Sequence, residues 1–518
     1  MTSLPLVPLP ASLTSGDGPP VALTPAVRIT GDARAAGALR RLVVTRTGVH
    51  LADATAAPAA AGTSAASGSA PVAPASDGDI DLAVDGAGGA ESYRIHVDAD
   101  RIVVRAADPA GLFYAVQTLG QLIHRFGDGW AVPAVRIDDA PRFAYRGVML
   151  DVARHFFDVA AVTAFLERAA SLKFNVLHLH LSDDQAWRLE SARRPELTAR
   201  SAANAVAGDP GGFFTHDDYR AIIAHAADHH MTVVPEFDMP GHTHAVGLAY
   251  PGIAAEPALD GWDAAGGDTP VAGEPYTGIG VGFSSLRIGE PATDAFVDDV
   301  FAELAELTPG PYLHFGGDEA FGTPSDAFAA FVARTSAVIA RLGKTPIAWH
   351  EAGAANELAP GTVGQYWSFV TPAEGAVEKA LAFVDRGGRL ILSPADAVYL
   401  DMKPEASASL GLTWAGGPTS LERAYSWEPR DIVAGLSETD ILGVEAPLWT
   451  ETVRDLDDID ALAFPRIAAA AEAAWSVPSG TMEGRTWESF RTRVGGLGPL
   501  WTTLGIRFPA SREVSWTI

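Results

Sequence analysis

The sequence predicts an α/β protein: a (β/α)8 TIM barrel preceded by a small α+β domain. Three observations carry this expectation. Eight short apolar runs recur between residues 146 and 449, mostly separated by segments of helical periodicity, and a repeated β–α order implies parallel strands. Carboxylates and tryptophans gather at the ends of these runs. The first 140 residues have a different texture, with short β-like runs on either side of a low-complexity stretch.

That stretch is 52–79, ADATAAPAAAGTSAASGSAPVAPASDGD. Ala, Ser, Gly and Pro cannot build a packed core there, so it reads as an exposed loop. Leu42–Thr45 precedes it; Tyr93–Val97 and Ile102–Arg105 follow. In DPAGLFYAVQTLGQLIHRF, residues Leu112, Ala115, Val116, Leu119, Leu122 and Ile123 recur at helical spacing. Residues 1–140 therefore form the expected small domain, and 141–518 the expected catalytic barrel.

The barrel strands read in order as RGVMLD (146–151), VLHLHL (176–181), TVVPEFD (232–238), YLHFGG (312–317), PIAWHE (346–351), GTVGQYW (361–367), RLILSP (389–394) and ILGVEAPLW (441–449). Between them lie helical patterns such as DVAAVTAFLERAASLKF and THDDYRAIIAHAADHH. In the latter, Thr215 is the expected N-cap, with Asp218 three residues on. The length beyond a typical barrel falls in loops, notably 252–285 and 401–430. A doubly wound open sheet is the alternative, but no Gly-rich phosphate fingerprint follows the first strand.

Composition narrows the function. The net charge of −27 over 518 residues argues against nucleic acid, whose phosphates require a basic surface, and against anionic membranes. No run approaches the ~18 apolar residues of a membrane helix. With no cysteine, there is no thiolate nucleophile and no Cys-ligated metal. The start, MTSLPLVPLPASL, lacks the basic region of a secretory signal. The expected location is cytoplasmic, or secreted with the signal removed.

In such a barrel the active site lies at the C-terminal ends of the strands. Reading those ends gives Asp151 and Arg154, Asp183 and Asp184, Asp238 and His242, Asp318 and Glu319, Trp349, Trp367, and Trp449 and Glu451. Tyr399 and Asp401 follow the seventh run. This is an acidic cup with aromatic walls. Aromatic faces pack on the apolar faces of sugar rings, and carboxylates and Arg bind hydroxyls. His178 and His180 resemble a metal pair, but the fifth and sixth strand ends carry Trp rather than further histidines, so they read as core. His216, His225, His229 and His230 lie on or beside one amphipathic helix and read as surface residues.

The motifs RGVMLDVARHFF, NVLHLHLSDDQAWRLE, PEFDMPGHTHA, LHFGGDE, AWHE, VYLD and VEAPLWTE stand in this order over about 140–480. Together they resemble the family 20 glycoside hydrolases, the β-N-acetylhexosaminidases. The resemblance implies an exo-acting enzyme on oligosaccharides or glycoconjugates ending in N-acetylhexosamine, with no metal or organic cofactor. The nucleophile it implies is the substrate's own 2-acetamido oxygen. Glu319 then matches the general acid and base. Asp318 matches the carboxylate that orients the acetamido N–H, and Tyr399 the phenol that aims its oxygen. Trp349, Trp367 and Trp449 match the walls of the acetamido pocket. Arg154, Asp401 and Glu451 match the binders of sugar hydroxyls, and Asp183 with His242 a supporting relay behind Glu319.

Three rivals remain open at this point. They are an ordinary two-carboxylate glycosidase with Glu451 or Glu351 as nucleophile, a metal hydrolase built on His178 and His180, and a non-catalytic sugar-binding protein. The natural glycan, the preference between GlcNAc and GalNAc and the oligomeric state are not legible in the residues.

Overall fold

Eight parallel strands close into a barrel: β1 (Tyr145–Asp151), β2 (Val176–His180), β3 (Thr232–Glu236), β4 (Tyr312–His314), β5 (Thr345–Trp349), β6 (Val363–Tyr366), β7 (Leu390–Leu392) and β8 (Ile441–Leu448). The computed structural model describes residues 4–53, 79–98, 100–260, 262 and 268–517. The closing pair is β1 with β8, running from Tyr145 opposite Gly443 to Leu150 opposite Leu448. Every residue of β1 and β8 is buried, as expected for strands covered on both faces. The expected (β/α)8 architecture is therefore present.

The intervening helices form where the periodicity places them. Val159–Ser171 follows β1 and is capped by the Asp158 side chain on the Ala161 N–H. His216–Asp228 follows β2 and carries the anticipated capping box between Thr215 and Asp218. Strand β4 is shorter than the run YLHFGG suggests, because the backbone leaves the ladder at Gly316 and Gly317, whose φ values are 71° and 95°.

The chain divides into two compact units. The barrel unit comprises Phe143–Ala474 and Arg507–Glu513. The other comprises Met1–Arg142, Trp475–Ile506 and Val514–Ile518, so the expected assignment of all of 141–518 to the barrel is corrected. The buried Arg493 donates to the Leu6 carbonyl at 2.6 Å, and the Trp475 indole N–H to Asp139 at 3.0 Å. These contacts tie the late segment to the early one.

In that unit the described strands form a seven-stranded sheet and a separate three-stranded one. The central pair of the larger sheet, Tyr93–Asp98 and Arg101–Ala106, is antiparallel. Tyr93, Ile95 and Val97 are buried in strict alternation, which gives the strand one face to pack. The helix Pro109–Leu122 lays Leu112, Ala115, Val116 and Leu119 into the same core. The small α+β domain is thus present. Most of the anticipated loop at 52–79, namely 54–78, lies outside the described residues. Among the described residues, no helix is long and apolar enough to cross a membrane.

Candidate active site

At the C-terminal mouth of the barrel is a cavity of about 290 Å³. Arg154, His242, Asp318, Glu319, Trp367, Tyr399, Trp449 and Glu451 all line it. These are eight of the residues singled out from the sequence, gathered from six different strand ends.

The turn after β4 explains the motif GGDE. A Cβ on Gly316 would stand 1.6 Å from Asp238 Oδ1, so only glycine leaves room for that carboxylate. The next amide, Gly317 N–H, donates to the same Oδ1 at 3.0 Å. The chain then delivers Asp318 and Glu319 to the cavity. Glu319 holds φ at 42° and His242 at 53°. Left-handed backbone of this kind costs about 1–3 kcal/mol per residue and concentrates at functional sites.

His242 sits at the centre of the acidic residues. Its Nδ1 lies 3.1 Å from Asp183 Oδ1, while its Nε2 lies 3.6 Å from Asp318 Oδ2 and 3.5 Å from Glu319 Oε2. Burial alone would lower the pKa of this ring; Asp183, Asp318 and Asp238 outweigh it and hold the imidazolium well above its ordinary range. Burial would likewise raise Asp183, but Arg154 and His242 hold its carboxyl far below the usual range. Arg154 Nη1 lies 2.8 Å from Asp183 Oδ2, and its guanidinium stacks 4.9 Å over the Trp449 ring. Asp183 is therefore a fixed anion with His242 and Arg154 as its counter-charges.

Asp318 differs from it. Burial pushes its carboxyl up to about 6, against the pull of His242. Asp238, buried beside it, is raised much further by burial and by the charge of Asp318. Of the two, Asp318 ionises first.

The sugar-sized remainder of the cavity is aromatic. Trp449 and Tyr399 stand with ring centroids 6.4 Å apart. Burial, with Asp401 and Asp318 nearby, keeps the Tyr399 phenol protonated far beyond neutral pH. The Trp367 indole N–H donates to Glu351 Oε2 at 3.0 Å, which fixes that wall. Three anticipated residues stand behind the lining. Asp183 is one, through His242. Asp401 is another: it is 1% exposed, and neither of its side-chain oxygens has a hydrogen-bond partner among the described residues. Trp349, expected as a wall, is the third. It is 1% exposed and packs 6.0 Å behind Trp449 and 4.9 Å from His314, because the end of β5 directs it toward the barrel axis.

Other residues here were not anticipated. Trp414 lines the cavity while 47% exposed, edge-on to Trp367 and Tyr399. Ile279, Val281 and Leu412 complete the rim. All four come from the two long loops, where no periodicity marks a side chain as inward. His180, read as core, does more than pack: its Nε2 lies 2.7 Å from Asp183 Oδ2, and its Nδ1 contacts Glu236. Four groups of buried residues in the barrel have ligand atoms close enough to share a cation: Asp238, His242 and Asp318; Asp183, Asp184 and His242; His180, Glu236 and Asp238; and His178, Glu236 and His314. In each, imidazole–carboxylate contacts already join members of the group.

An acid pair, a buried imidazolium and tryptophan walls at the mouth of a (β/α)8 barrel define a glycoside hydrolase. Comparisons with known proteins agree. Residues 143–327 and 321–478 match the model of the glycosyl hydrolase family 20 catalytic domain, and residues 3–140 match domain 2 of that family. The chain belongs to glycosyl hydrolase family 20. It is 39% identical to a β-N-acetylhexosaminidase of Cellulomonas fimi over 529 aligned positions, covering 100% of this chain and 98% of the relative. It superposes on the structure of a family 20 β-N-acetylglucosaminidase with a TM-score of 0.90 at 56% identity, each chain covered fully. A mutant Streptomyces plicatus β-hexosaminidase in complex with product (GlcNAc) superposes with a TM-score of 0.86 at 38% identity, covering 99% of this chain and 98% of that one.

Proposed function

We propose that the enzyme is an exo-acting β-N-acetylhexosaminidase. It removes terminal, non-reducing, β-linked GlcNAc or GalNAc with retention of configuration, through an oxazolinium intermediate formed by the substrate's 2-acetamido group. The observation that carries this reading is the adjacency of Asp318 and Glu319 on one turn beside His242. Two carboxylates on one turn are poorly placed to attack C1 and protonate the leaving oxygen from opposite faces, as a two-carboxylate retaining enzyme does. They are well placed to serve neighbouring atoms on one side of the sugar.

Glu319, half-buried beside His242 Nε2, protonates the departing glycosidic oxygen and later takes a proton from water. Asp318, ionised above about pH 6, accepts the acetamido N–H and balances the positive charge that grows on that nitrogen. The Tyr399 O–H donates to the acetamido oxygen and aims it at C1. Trp367 and Trp449 restrict the acetamido group to this pose, with Trp349 supporting Trp449 from behind; such restriction is itself a large rate factor. Arg154, Asp401 and Glu451 bind hydroxyls at the closed end. The buried, unpartnered oxygens of Asp401 and Glu451 Oε2 supply acceptors whose desolvation a sugar would offset.

The alternative protein nucleophiles are poorly suited. Burial and the charge of Asp318 push Glu351 up to about 8, and Glu351 already accepts the Trp367 N–H. Burial pushes Glu451 up to about 7 even beside Arg154. A carboxyl that is not fully ionised at neutral pH is a weakened nucleophile. The names of the Cellulomonas and Streptomyces relatives, and the GlcNAc bound to the latter, support the same substrate class. Proton NMR of the first product released from a chromogenic β-N-acetylglucosaminide tests the reading. A β-anomer that then mutarotates is expected; an α-anomer formed first is inversion and rules the mechanism out.

A further inference from the structure

A second cluster of chemistry-bearing side chains lies away from the cavity. The helix His216–Asp228 carries His225 in its last turn and ends at His229 as its C-cap residue. Residues four apart share one helix face, and the two imidazole centroids are 4.7 Å apart at an interplanar angle of 34°. The neighbouring helix Val159–Ser171 brings Glu167 to the same face, with Oε1 3.0 Å from His225 Nε2. One ligand atom from each of the three residues lies within 4.8 Å of the others.

We propose that Glu167, His225 and His229 bind one divalent transition-metal ion of the class of Zn2+, Ni2+ and Cu2+, with solvent completing the coordination. Two imidazoles and a carboxylate are the donor set such borderline cations take, whereas Ca2+ and Mg2+ select oxygen donors. Tetrahedral bonds of ~2.0–2.1 Å place neighbouring donor atoms ~3.3 Å apart. The 3.0 Å between His225 Nε2 and Glu167 Oε1 is already close to that spacing. The tautomer of His229 also fits. Its Nδ1 lies 2.9 Å from the His225 carbonyl oxygen, which can only accept, so the proton sits on Nδ1 and the lone pair on Nε2. Binding requires His225 Nε2 to give up the proton it shares with Glu167, either to Nδ1 or to solvent. The ion therefore competes with a proton for this donor.

An exposed Glu–His pair alone would be an ordinary surface contact of little consequence. A second imidazole four residues on, with its tautomer set by a main-chain carbonyl, distinguishes this cluster. Its position also separates it from the chemistry. Glu167, His225 and His229 stand where their helices end, just before the chain enters β2 and β3 at the barrel face opposite the mouth. The ion would clamp two consecutive barrel helices, and this proposal does not depend on the reaction assigned to the cavity.

The test uses the full chain without an affinity tag. Titration calorimetry with Zn2+ and with Ni2+ is expected to give one site, and bound Cu2+ to show two imidazole nitrogens by electron paramagnetic resonance. Saturating Zn2+ is expected to raise the thermal midpoint by on the order of a few degrees. His225→Ala and His229→Ala, both at partly exposed positions, are each expected to weaken binding more than about tenfold while glycosidase turnover is unchanged. Absence of saturable binding, a Cu2+ signal with fewer than two imidazole nitrogens, or equal affinity in both variants and the parent overturns the proposal.

Discussion

The Asp238 carboxylate occupies the space that a side chain on Gly316 would need: a Cβ there would lie 1.6 Å from Oδ1. That relationship links β3 to the turn that presents the acid pair. Gly316→Ala must displace Asp238 and also hold alanine at φ 71°. Overpacking and left-handed strain each cost about 1–3 kcal/mol, so urea denaturation is expected to show roughly 2–6 kcal/mol lost, with activity falling further than stability. A change within about 0.5 kcal/mol would mean the turn is not held this way.

Glu319→Gln keeps the shape and removes the acid. Turnover of oligosaccharide substrates is expected to fall on the order of 10²–10⁴-fold, and considerably less for a leaving group that departs unprotonated, such as a dinitrophenolate. Equal losses on both substrates would take the role of acid away from Glu319.

Removing a wall should affect chemistry as well as binding. Trp367→Ala and Trp449→Ala are each expected to lower kcat and raise KM, because the walls hold the attacking pose. Steady-state kinetics with kcat unchanged would reduce these residues to binding contacts.

The pH profile follows from Asp318. Burial raises its carboxyl to about 6, and the working form is the anion, so the active population is full above that value and is lost as pH falls through it. The acid limb of kcat/KM is expected near pH 6, well above the ordinary Asp value near 3.9. A limb at pH 4 would place the required anion elsewhere.

How much of this was legible in the residues depended on pattern. Eight apolar runs with carboxylates at their ends were enough to place the barrel, and LHFGGDE placed the acid pair. Glycines 316 and 317 read as the end of a strand, and only the position of Asp238 shows why the chain must turn there on glycine. The grouping of Trp475–Ile506 with the first unit was not readable, since an amphipathic helix records that it packs and not against what. Trp414 was missed because it sits in the irregular stretch after Asp401, where neither period distinguishes inward from outward. Trp349 was placed at the right strand end but one layer too shallow, a matter of side-chain direction that a motif does not encode. His180 read correctly as buried, yet its bridge between Asp183 and Glu236 links the ends of β2 and β3 and appears only once those strands are in register.

Dependence on the 2-acetamido group tests the mechanism most directly. Hydrolysis rates are compared for an aryl β-N-acetylglucosaminide and the aryl β-glucoside with the same leaving group. The two sugars offer the same hydroxyls to Arg154, Asp401 and Glu451, and only one carries the internal nucleophile. Efficient turnover of the N-acetyl substrate with no measurable turnover of the glucoside at saturating concentration is expected. Good turnover of the glucoside, or a glycosyl ester trapped on Glu451 or Glu351 by a fluorosugar, would contradict substrate assistance and restore a protein nucleophile.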